Sequence, residues 1–410
     1  MVRTSFWQTQ LAASFVGCDD VPGLGRREKP LAMAQGKSKR LLLLLNDAPF
    51  FITHRLSVGI AARAAGWEVH VAVPFETQAV ARIKAEGLIH HDVPLARGGT
   101  NPVAELKLLA AYWRLMGDIK PDLVHAVTMK PGAYGGAVAR LRGVPALVVA
   151  VTGLGFLFLR DTLKTRILRK IVLGLYGFGM GHKNARAIFQ NPDDEALFRQ
   201  HSLIGNTPVH MIKGCGVDLE SFAVTPEPAG KPVVTFPARL IGDKGLHEFI
   251  DAAKRCKENG LEATFRLVGR TDADNPTDIG EEAVRQWEAK GLIEWQGFSG
   301  DMPAVFRDCH IVCLPSYREG LPRTLIEATA SGRAIVTTDV PGCREIVQHD
   351  VNGLLVPARD GAATAAAITD LVTHAGKRQR MAKKGRAIAE ASFSVQKFVA
   401  DSLAVYNEIS

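Results

Sequence analysis

The run Arg40-Leu-Leu-Leu-Leu-Leu45 is apolar after its first residue and stops at Asn46-Asp47-Ala48-Pro49. That predicts a fully buried strand followed by a loop. A helical pattern follows over Arg55–Ala65, then Gly66 and a second strand over Glu68–Val73. Asp122–His125 and Ala146–Val151 predict further strands, with a helix over Gly132–Leu141 between them. Strands that alternate with helices imply a parallel sheet covered on both faces.

The alternation restarts after the linker-like Pro226-Glu-Pro-Ala-Gly230. Strands are predicted at Val233–Pro237, Ala263–Val268, Ile293–Gln296, Ile311–Leu314 and Ala334–Thr337. Helices are predicted at Gly245–Asn259, Leu321–Ser331 and, last, Gln396–Ile409. The expected fold is therefore α/β: two Rossmann-like parallel-sheet domains facing across a cleft. Ligands of such sheets bind beyond the carboxyl ends of the strands. We assign residues 1–36 to an unpatterned extension, 37–217 to the first domain, 218–395 to the second and 396–410 to a C-terminal helix.

Length supports two domains: 410 residues is long for one. Apolar residues make up 47% and charged residues 22%, which excludes a disordered or coiled-coil chain. The six cysteines form no CxxC pair, and Cys309-His310 beside Cys313 sits in a strand-like apolar run, so core packing is expected over zinc. Reduced thiols in a cytosolic protein fit this usage. No apolar run is long enough to span a bilayer. Ser5–Gly17, between Arg3 and Cys18, is diluted by Gln8, Thr9 and Gln10. A secretory signal needs a continuous apolar stretch, so export is not expected, and Met33 offers an alternative start.

The segment from Pro315 to Gly332 carries the clearest chemistry. A buried strand ends at Leu314, a polar loop holds Glu319 and Gly320, and Pro322 suits the first position of a helix. The first amides of a helix have no internal partner and favour anions. Glu327 lies five residues past Pro322, about 7.5 Å along the axis at helical rise. Glu319 and Glu327 thus flank whatever anion binds there. A bound phosphate would repel them, so they read as acceptors for sugar hydroxyls. Glu68 and Glu76 repeat the spacing without a helix start, and that pair reads as accidental. Asp272-Ala273-Asp274 precedes Asn275-Pro276 and reads as a turn; no metal site is expected there.

Together, the Glu319–Glu327 segment, Ala334–Thr337 and Pro341-Gly-Cys-Arg-Glu-Ile346 resemble the signature of family 4 glycosyltransferases with the GT-B fold. Arg239-Leu-Ile-Gly-Asp-Lys244-Gly245 is similar to that family's basic diphosphate-binding loop. Gly214-Cys-Gly-Val-Asp218 resembles its hinge, with Cys215 where serine is usual. Asn191-Pro-Asp-Asp194 and Asn352-Gly-Leu-Leu-Val356 also fit. Phe50–Leu56, Lys130-Pro-Gly-Ala-Tyr-Gly135 and Thr152-Gly-Leu-Gly155 resemble the subgroup that adds sugars to lipid-linked bacterial surface glycans.

The resemblance implies roles. Glu327 would hold ribose hydroxyls, and Glu319 hydroxyls of the transferred sugar. Backbone amides near Gly320–Arg323, a stretch that includes Leu321 and Pro322, would meet the diphosphate. Arg239 and Lys244 would neutralise it. The anomeric configuration would be kept by same-face attack, with no protein nucleophile and no cofactor beyond the nucleotide sugar. The first half departs from the pattern: Asn46–Pro49 replaces a glycine pair, and Thr152 stands where many relatives have histidine. His54, His125, Lys130, Thr152 and Gly153 are the candidate acceptor-side residues. A nucleotide-sugar 2-epimerase and a non-catalytic nucleotide-sugar-binding scaffold remain as alternatives.

The net charge of +8 suggests an anionic partner: nucleic acid, nucleotide or membrane. Arg160, Lys164, Arg166, Arg169, Lys170, Lys183 and Arg186 against Asp161 place most of it in one segment. Apolar positions 163, 167, 168, 171, 172, 175 and 176 fall on one helical face, with Arg166, Arg169 and Lys170 opposite and Lys164 on the apolar side. That predicts a helix lying on anionic lipid, with the protein peripheral on the inner face of the cell membrane. Aromatic platforms do not interleave with the charge, so nucleic acid is not an expected partner.

Overall fold

The structure is a computed structural model and describes residues 38–96, 101–153, 162–273 and 275–409. The predicted extension, Arg160, Asp161 and Asp274 lie outside them. The first sheet has seven strands in the order β3-β2-β1-β4-β5-β6-β7, all parallel. They are β1 Arg40–Leu44, β2 Glu68–Ala72, β3 Ile89–His91, β4 Leu123–Val127, β5 Ala146–Val151, β6 Ala185–Phe189 and β7 Val209–Met211. The second sheet has six, in the order β10-β9-β8-β11-β12-β13, again parallel. They are β8 Val233–Pro237, β9 Thr264–Val268, β10 Glu294–Trp295, β11 Ile311–Leu314, β12 Ala334–Thr338 and β13 Gly353–Val356.

The leucine run shows why β1 sits in the middle. Leu41, Leu43 and Leu45 enter one apolar cluster, while Leu42 and Leu44 enter the cluster on the other face. Alternating side chains on a strand covered from both sides must all be apolar. The sequence pattern did not single out β3, β6, β7 or β13, which are short or carry polar residues such as His90, His91 and Arg186.

Two local expectations change. Asn46–Pro49 is not a four-residue loop: Asp47 caps the helix Ala48–His54 by accepting from Phe50 N at 2.7 Å, and Pro49 sits in its first turn. The helix predicted over Arg55–Ala65 starts one residue later, at Leu56, and is preceded by that shorter helix. Arg55, buried at the break, stacks its guanidinium over Phe398 at 5.0 Å.

The chain passes between domains at Gly214-Cys215-Gly216-Val217. Gly214 and Gly216 both have positive φ, and a Cβ on Gly216 would lie 2.6 Å from Val395 Cα. Only glycine permits that approach. Val217 exchanges backbone hydrogen bonds with Phe393 and Val395, so the outgoing and returning strands of chain lie side by side. The final helix, Val395–Asn407, then packs on the first sheet: Phe398, Val405 and Tyr406 join the cluster of Leu41 and Leu43.

This return corrects one site assignment. His125 does not face a ligand cleft. It is buried on β4, and its Nδ1 shares a 2.6 Å hydrogen bond with the Tyr406 hydroxyl. Burial, reinforced by Arg55, holds its pKa well below the usual histidine value. Its role is to fasten the C-terminal helix. Tyr406→Phe would leave Nδ1 buried without that partner and is expected to lower stability by about 1–3 kcal/mol in urea denaturation.

Candidate active site

The second sheet aims its carboxyl ends at the first. Beyond β11 the chain crosses in a loop, and the helix Arg323–Ala330 begins. Pro322 is the N-cap, with extended backbone, rather than the first helical residue. Its ring supplies no capping acceptor; Leu325 N donates to the Pro322 carbonyl at 3.0 Å, which leaves the amides of Arg323 and Thr324 to face an external anion.

Three ion pairs surround this helix start. Lys244 Nζ lies 2.5 Å from Glu319 Oε1, Arg239 Nη1 is 2.6 Å from Asp272 Oδ2, and Arg323 Nε is 2.6 Å from Glu327 Oε1. Lys244 and Glu319 come from loops 75 residues apart, which the ends of β8 and β11 bring together. The short helix Gly242–Lys244 directs the lysine inward. Glu327 is buried, which pushes its pKa up; Arg323 opposes that shift. The exposed Arg239–Asp272 pair contributes little, about 0–1 kcal/mol.

Each predicted cation thus already meets a carboxylate. Two of these partners were not assigned from sequence. Asp272 reads as a turn residue, and it does accept a turn-like place, its amide donating to Asp278 Oδ1 at 2.7 Å. The Arg323 side chain, beyond its backbone, pairs four residues along the helix with Glu327 and donates to the Thr53 carbonyl of the first domain. The i, i+4 spacing of Arg323 and Glu327 was the available signal. Among the described residues, no cluster of His, Cys, Asp and Glu has the geometry of a metal site.

The first domain meets the loop directly. A Cβ on Gly320 would lie 1.9 Å from the Thr152 carbonyl oxygen, and one on Gly153 would lie 3.1 Å from Gly320 N. Thr152, Gly153 and Gly320 therefore come together. Leu321 packs from the same loop against the second domain's core. His54 closes its helix at the same rim: it stacks on Phe50 at 4.0 Å, and Thr53 before it receives Arg323. Lys130 follows β4 and is held by Glu105 at 2.7 Å and the Ala96 carbonyl at 2.8 Å.

The helix Leu163–Met180 divides its apolar residues between two faces. Val172, Leu173, Tyr176 and Met180 are buried on the first sheet. Leu163 is 75% exposed, Ile167 and Ile171 53% each, and Phe178 is also exposed. At helical spacing these four fall within about 80° of arc. Arg166 and Lys170 edge that stripe; Arg169 is half-buried. The single apolar face with opposing charge is therefore corrected: the core claims one part, and the rest points outward beside the cations. Eight of the fourteen exposed large apolar side chains among the described residues lie on this helix and its neighbours Pro102–Ile119 and Gly136–Arg142. No described helix is long and apolar enough to cross a membrane.

Comparison with known proteins agrees with the two-sheet site. Residues 218–388 match the family described as Glycosyl transferases group 1, and residues 40–190 match Glycosyl transferase 4-like. The chain belongs to the family 4 glycosyltransferases of GT-B fold, and it is an enzyme of sugar transfer. It is 28% identical over 302 residues to N,N'-diacetylbacillosaminyl-diphospho-undecaprenol alpha-1,3-N-acetylgalactosaminyltransferase of Campylobacter jejuni, covering 70% of this chain and 77% of that protein. It is 25% identical over 281 residues to the Escherichia coli UDP-Gal:alpha-D-GlcNAc-diphosphoundecaprenol alpha-1,3-galactosyltransferase, covering 65% and 70%. Among solved structures, Thermosynechococcus elongatus sucrose-phosphate synthase shares the fold, with a TM-score of 0.74 at 19% identity over 90% of this chain and 98% of that one. Anabaena HepE, solved with UDP and glucose, gives 0.71 at 19% identity over 90% and 99%.

Removing Arg323 would strand a buried carboxylate. Arg323→Met is expected to destabilise by about 1–3 kcal/mol, less than for a fully buried pair because Arg323 is partly exposed. Adding Glu327→Gln should recover part of that loss in the same denaturation measurement.

Proposed function

We propose that the protein is a retaining glycosyltransferase that moves a hexose or N-acetylhexosamine from a nucleotide diphosphate donor to a polyprenyl-diphosphate-linked saccharide in surface polysaccharide biosynthesis. The observation that carries the donor half is the grouping of Lys244, Arg239 and an uncapped helix start between Glu319 and Glu327. Negative charge builds on the departing nucleotide diphosphate. Fixed cations and helix amides stabilise it more in the transition state than in the ground state. Glu327 accepts from ribose hydroxyls. Glu319, tied to Lys244, accepts from the sugar beside the phosphate that Lys244 meets. The diphosphate competes with Asp272 and Glu319 for the two cations, and the helix amides meet the rest of its charge. Attack by the acceptor hydroxyl on the face that the diphosphate leaves keeps the anomeric configuration without a protein nucleophile.

The acceptor half rests on the C. jejuni and E. coli relatives, whose names specify diphospho-undecaprenol-linked substrates, and on the outward stripe of the helix Leu163–Met180. That helix runs antiparallel to β5 and β6, so Leu163 lies at the cleft end. Lying on an anionic inner leaflet, it would keep the lipid in the bilayer while the saccharide reaches Thr152 and Gly153. His54 and Lys130 would then be the first-domain contacts of the incoming saccharide.

A screen of nucleotide sugars against a polyprenyl-diphosphate saccharide, scoring released nucleotide diphosphate, tests the reaction. With UDP as the first calorimetric probe, Glu327→Ala is expected to abolish nucleotide binding. Glu319→Ala should keep binding and slow transfer about 100-fold or more. Normal turnover in both variants rejects this site. In flotation with anionic vesicles, neutralising Arg166, Arg169 and Lys170 removes about 1 kcal/mol each, enough to lower partition about 100-fold. Unchanged partition makes the helix an ordinary surface element.

A further inference from the structure

The chain leaving β6 makes a contact that the donor chemistry does not require. Asn191 is fully buried and caps the helix Pro192–Gln200, its Oδ1 accepting from Asp194 N at 2.8 Å. Its Nδ2 donates to Asp194 Oδ2 at 3.0 Å and, across the domain boundary, to the Gly320 carbonyl at 2.8 Å. The other oxygen of Asp194 accepts from Arg318 Nη2. An acidic residue in the first turn of a helix ordinarily lies in solvent, where it complements the dipole. Here the Asp194 side chain is fully buried, and Arg318 is mostly so. A carboxylate in that position is tolerated only while a cation and hydrogen bonds satisfy it. Arg318, which provides that cation, belongs to the other domain.

Arg318 and Gly320 bracket Glu319. On its far side the same loop is held by the second domain, through Glu319 N donating to the Pro341 carbonyl at 3.2 Å. The first-domain grip therefore acts on the two neighbours of the residue that pairs with Lys244. When the domains separate, Asp194 and Arg318 both gain water, and the loop keeps its second-domain anchors, Tyr317 N to the Asp243 carbonyl, Glu319 N to the Pro341 carbonyl and the Lys244–Glu319 pair.

We infer that Asn191 and Asp194 form a domain-closure latch that positions the Glu319 loop through Arg318 and the Gly320 carbonyl. Asn191, Asp194 and Arg318 are positioning residues; Glu319 is the residue they place. Closure and ordering of the donor loop become one event, and opening loosens the loop as product leaves. The catalytic consequence rests on the proposed transfer reaction, whereas the latch itself does not.

Hydrogen exchange on the ligand-free full chain separates the two. In Asp194→Asn and in Arg318→Gln, peptides spanning Tyr317–Leu321 should exchange at least tenfold faster, with β8 and β11 unchanged. The double variant should be no faster than either single variant. Glu195→Gln, on the same helix but paired within it to Arg199, should leave that loop as in wild type. Asp194→Glu and Arg318→Lys keep the charges and should restore part of the protection, and they serve if a neutral variant fails to fold. In the transfer assay, Asp194→Asn should lower kcat about tenfold with donor KM within threefold. Loop exchange unaltered in both neutral variants, or additive effects in the double, overturns the latch. Absence of transfer by the wild-type chain, with the exchange result intact, overturns the functional reading instead.

Discussion

The cleft is organised by a backbone contact. At Gly320 the second domain approaches the Thr152 carbonyl so closely that a single added methyl would sit 1.9 Å from the oxygen. No side chain can mediate so short a distance, so the relation between the sheets is set by peptide groups rather than by adjustable rotamers. Arg323 reaching Thr53, Asn191 reaching Gly320 and Arg318 reaching Asp194 all lie within a few residues of that point. The loop that bears Glu319 is consequently shaped by both domains, although its sequence belongs to one.

Electrostatics follow the same economy. Arg239 and Lys244 are paired with Asp272 and Glu319, and Glu327 is matched by Arg323. Isolated charges in a partly dry cleft would be costly. Pairing them locally keeps the groups in place. The net positive charge of the chain lies largely elsewhere, on the helices over the outer face of the first sheet. There Arg142 covers Trp113 at 4.0 Å and Arg140 covers Phe178 at 4.5 Å.

Much of this was legible along the chain. The five leucines of Leu41–Leu45 mark a central strand because burial on both faces leaves no polar position. Strand, loop, proline and helix at 311–330 mark a helix start with spare amides beyond β11. Glu319, Glu327, Arg239 and Lys244 stand out by residue type and position in that frame. The short edge strands β3 and β7 have too few residues to show a period.

What the sequence determined by itself was the set of local elements and the chemistry each could present, since periodicity, capping and charge are properties of neighbouring residues. The tertiary structure decided which groups meet. His125 looked like a ligand contact and is claimed by Tyr406, 281 residues away. Asp194 stood out only as part of the Asn191–Asp194 motif and is claimed by Arg318, 124 residues away. The apolar face of the helix Leu163–Met180 was divided between core and surface only when the sheet covered part of it. Partners so distant in sequence are chosen by the crossing of the chain between two sheets, and no local pattern encodes that crossing.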